Sequence, residues 1–367
     1  DFIVGNPPFL GDKFMRRELG DDYVDKLRTL YSGRIPGQSD LCCYWFEKAR
    51  AHIENHHCKR AGLLATQGIR GGANREVLKR IKETGDIFWA VSDQEWILDG
   101  ASVHVSIVSF DGGLEDSIIL DGQIVHEINT NLSSHGDTTT AKVLLENQGM
   151  CYLGIMKAGP FDIDEKSAVA MLTSPNAHSL PNSDVLRPRL TARDILQRQE
   201  CGWIIDYGPA MEMRNACRYQ APWEVVELQV KPARLENRRK RLAEKWWIHG
   251  EARPGLRKSL AGLPRFIVTP EVSKHRIFVW LDSVFLADHQ TRAFCRADDG
   301  FFGVLHSRVH EVWALAQGTQ LREKESGFRY TPTTCFETFP MPKPTPEQEQ
   351  AIAEAARELN DLREGWL

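Results

Sequence analysis

The sequence predicts an open α/β sheet in its first third, a mixed α+β module behind it and a C-terminal helix. Three observations carry this expectation. An apolar run, Phe2-Ile3-Val4, leads straight into Asn6-Pro7-Pro8-Phe9; strand-like and helical periodicities alternate through the first 115 residues; and after Cys151 short strands mix with basic helices.

Phe2 to Val4 reads as a buried parallel strand, which places Asn6-Pro7-Pro8-Phe9 at a strand's carboxyl end, where open α/β sheets bind ligands. Asp40 to His56 reads as a helix with Leu41, Tyr44, Trp45 and Ala49 on one face, and Ala61 to Thr66 as a second buried strand. Gly68-Ile69-Arg70-Gly71-Gly72-Ala73 then leads into a helix with Asn74 as N-cap and Val77, Leu78 and Ile81 as its buried stripe. Ile87 to Val91 and Val103 to Phe110 are two further strands, joined by a loop carrying Trp96 and Asp99-Gly100. Their imperfect alternation suits a sheet covered on both faces. Gly112 to Gly149 reads as a transition with an Asp121-Gly122 turn and a polar stretch from Ser133 to Thr140. Gly202 to Tyr207, Arg265 to Thr269 and Ile277 to Leu281 are strands of the later module, and Glu236 to Trp247 a helix anchored by Trp246-Trp247. A proline-rich stretch from Pro340 to Pro346 precedes a terminal helix, Glu347 to Leu362, with Ala351, Ile352, Ala355 and Leu359 on one face.

Composition is that of a soluble globular protein. The chain is long enough for two domains, and it has neither an 18-residue apolar run nor a basic-then-apolar leader, so the reading is cytoplasmic. Eight cysteines without a Cys-x-x-Cys pair argue for reduced thiols, and no histidine pair encloses the glutamate of a His-Glu-x-x-His motif, so no metal is expected. The net charge of −4 hides an asymmetry: from Lys231 to Arg276 there are 13 Lys and Arg against 4 Asp and Glu, whereas Pro344 to Leu367 holds 2 basic and 6 acidic residues. A basic block inside an acidic chain fits a polyanion.

The chemistry of Asn6-Pro7-Pro8-Phe9 suits an exocyclic amino group on a flat ring. The Asn6 amide oxygen and the Pro7 carbonyl can both accept from an NH2, Phe9 can stack on the ring, and Pro7 and Pro8 fix the backbone in advance.

This tetrapeptide resembles the active-site pattern of S-adenosyl-L-methionine-dependent amino-methyltransferases. Further segments extend the likeness: Ser39-Asp40-Leu41, Phe46-Glu47-Lys48-Ala49, Arg60-Ala61-Gly62-Leu63, Ile69 to Arg75, Val272-Ser273-Lys274-His275, Ser307 to Trp313, Arg329-Tyr330-Thr331-Pro332 and Cys335 to Pro340. Together they resemble the MmeI-like group of single-chain type IIG restriction-modification enzymes, in order along nearly the whole chain. The resemblance implies a partial class I methyltransferase (Rossmann-like) sheet over residues 1–115, a connection over 116–150, a DNA target-recognition domain over 151–340 and a helical tail over 341–367. It implies site-specific adenine-N6 methylation of double-stranded DNA, with Asn6, Pro7, Pro8 and Phe9 catalytic, Phe9 stacking on the target base, and Asp40 and Leu41 bordering the cofactor; Phe110, by its position on the last strand of the sheet, is a candidate second wall for that base. No Phe-x-Gly-x-Gly cofactor loop occurs, so the chain reads as the carboxyl-terminal part of a longer enzyme, inactive alone. Phe2 to Val4 would then be an edge that is frayed, covered or paired with a second copy.

For DNA contacts the candidates are Arg70 in the glycine-rich connection, Lys274, His275 and Arg276 for base edges or backbone, Arg187 and Arg189, and Arg238, Arg239, Lys240 and Arg241 as phosphate clamps. Two alternatives stand beside methylation of DNA: a DNA-binding module without catalysis, and an amino-methyltransferase acting on RNA or on protein glutamine.

Overall fold

In the computed structural model, which describes residues 1–98, 101–134, 141–197, 202–237, 239–320 and 327–366, the chain divides into two units, Asp1–Ala141 and Lys142–Leu367. Asp99-Gly100 of the expected loop, residues 135–140 of the polar stretch, Cys201 and Arg238 lie outside the described residues.

The first unit holds β1 (Phe2–Gly5), α1 (Asp12–Leu19), α2 (Asp21–Leu30), α3 (Cys42–Glu54), β2 (Arg60–Thr66), α4 (Arg75–Thr84), β3 (Asp86–Leu98), β4 (Ala101–Asp111), β5 (Ile118–Leu120) and β6 (Gln123–Val125). Its sheet runs β1-β2-β4-β3-β5-β6, with β1 parallel to β2 and β4 antiparallel to both β2 and β3. Ala61, Leu63 and Ala65 of β2 and Val108 and Phe110 of β4 face the core together with Val77, Leu78 and Ile81 of α4, the stripe that the helical period picks out. On α3 the buried set is Cys42, Cys43, Tyr44, Phe46, Ala49 and Ile53; Trp45, expected inside, is exposed. Glu47 is also buried, where Arg50 and Arg80 hydrogen-bond it and so tie α3 to α4. Burial alone would raise its carboxyl pKa, but those guanidiniums reverse the direction and hold it low.

Several expectations for this unit need correction. Phe2 and Val4, read as part of a buried strand, are largely exposed; β1 is an edge strand, as the resemblance implies, and only its Ile3 face packs against the core. Trp96 lies within β3, paired with Val103, instead of in a loop, because β3 and β4 extend as a long two-stranded ladder. Residues 118–125, expected in a connection, form a hairpin that joins the same sheet beside β3. Asp121 and Gly122, with φ of 51° and 78°, supply the two left-handed positions that the tight turn demands. The helices α1 and α2 were not anticipated; each buries one core residue, Met15 and Val24 respectively.

The second unit carries two four-stranded sheets and a three-stranded one. The first runs Leu286–Ala287, Leu186–Leu190, Gly202–Ile205, Asp162–Ile163; the second runs Val279–Asp282, Arg265–Pro270, Thr291–Phe294, Cys151–Leu153. The basic helix starts earlier than its charge suggests: a helix spans Gln220–Leu235, a break follows, and a short one covers Lys240–Glu244. Trp246 and Trp247 are buried in the core against Trp223 and each other. In the terminal helix, Pro346–Trp366, the covered apolar positions are Ile352, Ala353 and Ala356, whereas Ala351, Ala355 and Leu359 are exposed.

Two polar networks are built into this unit's core. Asp206 receives both guanidinium arms of Arg257, at 2.8 and 2.9 Å, with His249 Nδ1 3.5 Å away. His310 has partners at both ring nitrogens: Leu305 O at 2.8 Å and Tyr330 Oη at 3.0 Å. A carbonyl can only accept, so Nδ1 carries the proton and Nε2 accepts from the tyrosine; the ring is neutral in this arrangement.

Candidate functional site

At the carboxyl end of β1 the chain leaves the sheet with Asn6 and Pro8 exposed, Phe9 half-buried and Pro7 buried. The first backbone bonds beyond the strand are Leu10 N–H to Pro8 O, at 3.1 Å, and Leu41 N–H to Leu10 O, at 2.9 Å. Neither uses the Pro7 carbonyl. The amide and ring that the tetrapeptide offers thus stand at the open end of a strand, where sheet geometry places ligands.

What holds this loop is Asp40. Its Oδ1 accepts from Asp12 N–H at 3.0 Å, its Oδ2 accepts from Asn74 Nδ2 at 2.8 Å, and its own N–H donates to Asn74 Oδ1 at 2.7 Å. Ser39 Oγ adds a bond to Ala73 O at 3.0 Å. The segment after the tetrapeptide is thereby fastened to the Gly68–Asn74 connection. One capping expectation is corrected here. Asn74 has helical backbone angles and makes no cap bond, since its amide is spent on Asp40; α3 likewise starts without a side-chain cap, with Leu41 at its N-cap position.

The same bonds bear on the cofactor. Both Asp40 oxygens are taken by the chain, and Leu41 is buried in the core. Each carboxylate oxygen keeps a further lone pair, so Asp40 can still accept a bond from a cofactor group, whereas Leu41 has only apolar contact to give. Phe110 is also corrected: it is 1% exposed, stacked on Phe46 at 6.1 Å, and paired with Ala61 and Ile87 at the end of the sheet away from Asn6. It is a core residue, unable to face a base held there. Arg70 does lie at the right end, closing the turn Gln67–Arg70 that follows β2.

In the second unit the basic candidates separate by what they touch. Arg189 is engaged by Asp162 at 3.1 Å and Asp288 at 3.5 Å, a strut joining strands. Arg276 lies over the rings of Phe328 and Tyr330 and donates to Thr269 Oγ1 at 3.2 Å, to Phe328 O at 3.1 Å and to the Pro270 carbonyl; burial pulls its pKa down to about 10. Neither is placed to meet DNA: desolvating a guanidinium needs fixed partners, and these arginines have theirs inside the protein. Arg241 is exposed but bonded to the Gly250 carbonyl. Arg239, Lys240, Lys274 and His275 are exposed, and Arg187 is half-buried on its strand. Among the described residues no cluster of His, Cys, Asp and Glu could hold a metal ion.

Known proteins resemble the chain in both units. The family model of the MmeI DNA-methyltransferase domain matches residues 1–121, and that of the MmeI target recognition domain matches residues 156–343 of the 367, just over half of the chain. The chain belongs to the MmeI family. In fold it resembles the solved type IIL restriction-modification enzyme MmeI in complex with DNA, with a TM-score of 0.78 at 19% identity over 99% of this chain and 49% of that one. The chain therefore spans about half the length of this solved relative. A shorter stretch is similar to DNA methyltransferase A of Bacillus subtilis (strain 168), 37% identical over 62 residues, which is 17% of this chain and 7% of that protein.

Within the MmeI methyltransferase match lie residues that sequence reasoning passed over. Asn74 was taken for a cap, and its role shows only once the chain brings Asp40, 34 residues earlier, beside it. Asp93 and His104 gave no signal at all, since Asp93 reads as one polar residue of a loop and His104 as an ordinary polar position in an alternating strand.

Proposed function

We propose that this MmeI-family chain carries the acceptor side of a DNA adenine-N6 methyltransferase that takes its methyl group from S-adenosyl-L-methionine, within a cytoplasmic restriction-modification enzyme. The sheet order β1-β2-β4-β3, with its antiparallel final pair, reads as the second half of a class I methyltransferase sheet. An adenine extruded from the duplex, at a cost of a few kcal/mol, would present its amino group to Asn6 Oδ1 and the Pro7 carbonyl while Phe9 stacks on the ring. Accepting both amino hydrogens leaves the nitrogen lone pair directed out of the ring plane, the orientation direct transfer needs. Asp40 and Leu41 would border the cofactor, which would supply the methyl group when bound. Target recognition would fall to the second unit through Lys274, His275, Arg239, Lys240 and Arg187. Among the described residues no helix is long and apolar enough to cross a membrane.

One observation carries this reading: an exposed Asn6 and a half-buried Phe9 sit together at the carboxyl end of β1. Its test is transfer of tritium from labelled S-adenosyl-L-methionine by the complete protein, offered duplex DNA, RNA and a glutamine-containing peptide in parallel. Label in the adenine of duplex DNA is expected; label only in RNA or peptide would reassign the substrate.

A second reading, a DNA-binding module without catalysis, is favoured by the chain spanning only about half the length of the solved MmeI relative. Calorimetry of this chain with S-adenosyl-L-methionine separates the two. Micromolar binding favours a self-sufficient site, and none favours the binding module.

A further inference from the structure

The β3–β4 ladder carries a β-bulge at the same end of the sheet as Asn6. Val91 pairs with Ile107 and Gln94 with Val105, so Ser92 and Asp93 together oppose Ser106 alone. A bulge sacrifices ladder bonds, and where one persists it commonly re-aims a side chain. This one is secured from both sides. Ser106 Oγ donates to Ser92 O at 2.7 Å, while Ser92 N–H and Oγ reach the Asp121 carboxylate, at 2.7 and 2.8 Å, on the β5–β6 turn.

What the bulge re-aims is Asp93. Its Oδ1 meets His104 Nδ1 at 2.6 Å, and its Oδ2 lies 3.5 Å from the Arg70 guanidinium, whose other contacts are Gln67 O and Gln67 Oε1. The Asp93 side chain is 12% exposed and that of Arg70 23%. Asp93 is thus held closely by His104, while its pairing with Arg70 is beyond ideal hydrogen-bond length, which leaves the guanidinium able to take a second anion.

The strand register gives the scale. Asn6 leaves β1 beside Leu64, and the turn bearing Arg70 starts at Gln67, three residues further along. His104 stands one residue beyond the Val105–Thr66 pair on β4, two strands across from β1. At about 3.3 Å per residue and about 4.8 Å per strand, this cluster lies roughly 14 Å from Asn6. That is too far for proton exchange with an amino group on Asn6, and it is comparable with the reach of a nucleotide from its base edge to a flanking phosphate.

We propose that Arg70 grips a backbone phosphate beside the methylated nucleotide, and that the bulged Asp93, steadied by His104, is the positioning residue that sets the guanidinium in place. The proposal rests on the DNA-methylation reading and sharpens it: a cation is placed for the strand that carries the target base, within the methyltransferase unit itself.

The experiment uses the complete protein and has an arm that does not depend on catalysis. Binding to a non-specific duplex is followed by fluorescence anisotropy from 50 to 300 mM salt, for wild type, Arg70→Gln and Arg70→Lys. Loss of one phosphate contact flattens the slope of log K against log salt by about 0.9 in Arg70→Gln, while Arg70→Lys, which keeps the charge, retains most of it. The second arm places a neutral methylphosphonate at each phosphate flanking the methylated adenine, the site being located by sequencing methylated DNA. One position should weaken wild-type binding several-fold yet leave Arg70→Gln unaffected. Asp93→Asn should keep the salt slope and slow single-turnover transfer about tenfold at saturating DNA. An unchanged slope in Arg70→Gln, additive losses at every phosphate, or wild-type transfer by Asp93→Asn would each overturn the proposal. A slope flattened in Arg70→Gln, together with a wild-type protein that methylates no DNA, would uphold the clamp and refute the methylation reading instead.

Discussion

Replacing Asn74 by alanine removes both arms of its exchange with Asp40: the amide that donates to Oδ2 at 2.8 Å and the oxygen that accepts the Asp40 N–H at 2.7 Å. A bond to a carboxylate is worth about 1.5–3 kcal/mol and a neutral one about 1 kcal/mol; because the site is only partly buried, water recovers some of this, so about 2 kcal/mol is the expected net loss. The loss is local, since Asp40 keeps its bond from Asp12 N–H. Hydrogen exchange read at the Asp12 amide should therefore speed up about 30-fold, the equivalent of 2 kcal/mol in opening free energy. Asn74→Asp sharpens the test. It is nearly isosteric but sets a carboxylate oxygen against Asp40 Oδ2, a repulsion of at most about 6 kcal/mol at an effective dielectric of 20 that side-chain rotation would reduce. At neutral pH it should be at least as damaging as alanine, and acid that protonates one of the pair should relieve it. Asp12 protection unchanged within about threefold in Asn74→Ala, or an Asn74→Asp variant milder than alanine at pH 7, would refute the role assigned to this pair.

Three further outcomes follow from burial. Arg257→Met leaves the Asp206 carboxylate buried without its bidentate partner and should cost the second unit about 3–5 kcal/mol in urea denaturation; Asp206→Asn added to it should recover part of that, and an additive further loss would contradict the pairing. Burial pushes His310 down to about 4, so the folded state binds fewer protons than the unfolded one between about pH 6.5 and 4. Its contribution is therefore complete above pH 7 and lost as pH falls towards 4, up to about 3 kcal/mol; a urea midpoint that stays flat from pH 7 to 4.5 would contradict it. Phe110→Ala should cost about 3–5 kcal/mol as a core cavity, whereas Phe9→Ala should abolish transfer with little loss of stability; equal stability losses would show that Phe9 is core as well.

Legibility followed the range of the interactions. The stripe Val77, Leu78 and Ile81 was readable because helical periodicity is local, and the tetrapeptide's place at a strand end was readable because prolines and an apolar run punctuate it. Which end of the sheet Phe110 occupies is a matter of register between β2 and β4, and nothing in a single strand's composition encodes that. The polar segment Ser92-Asp93-Gln94-Glu95 hid the continuation of β3, since that part of the strand is held by pairing with β4 more than by burial. Charge misled in the second unit for a related reason. Arg189 meets Asp288, 99 residues away, and Arg276 meets the Phe328 carbonyl 52 residues away; a sequence displays the cation but not the partner that folding brings to it.

The central claim is that Asn6 receives an adenine amino group at the end of β1. Mass spectrometry of nucleosides from duplex DNA, incubated with S-adenosyl-L-methionine and either the wild-type or the Asn6→Ala complete protein, measures it directly. The account predicts N6-methyladenine from the wild type, a loss of at least about 100-fold in Asn6→Ala and DNA affinity kept within about threefold. Wild-type yields of N6-methyladenine from Asn6→Ala, or methylation confined to another base, would contradict it.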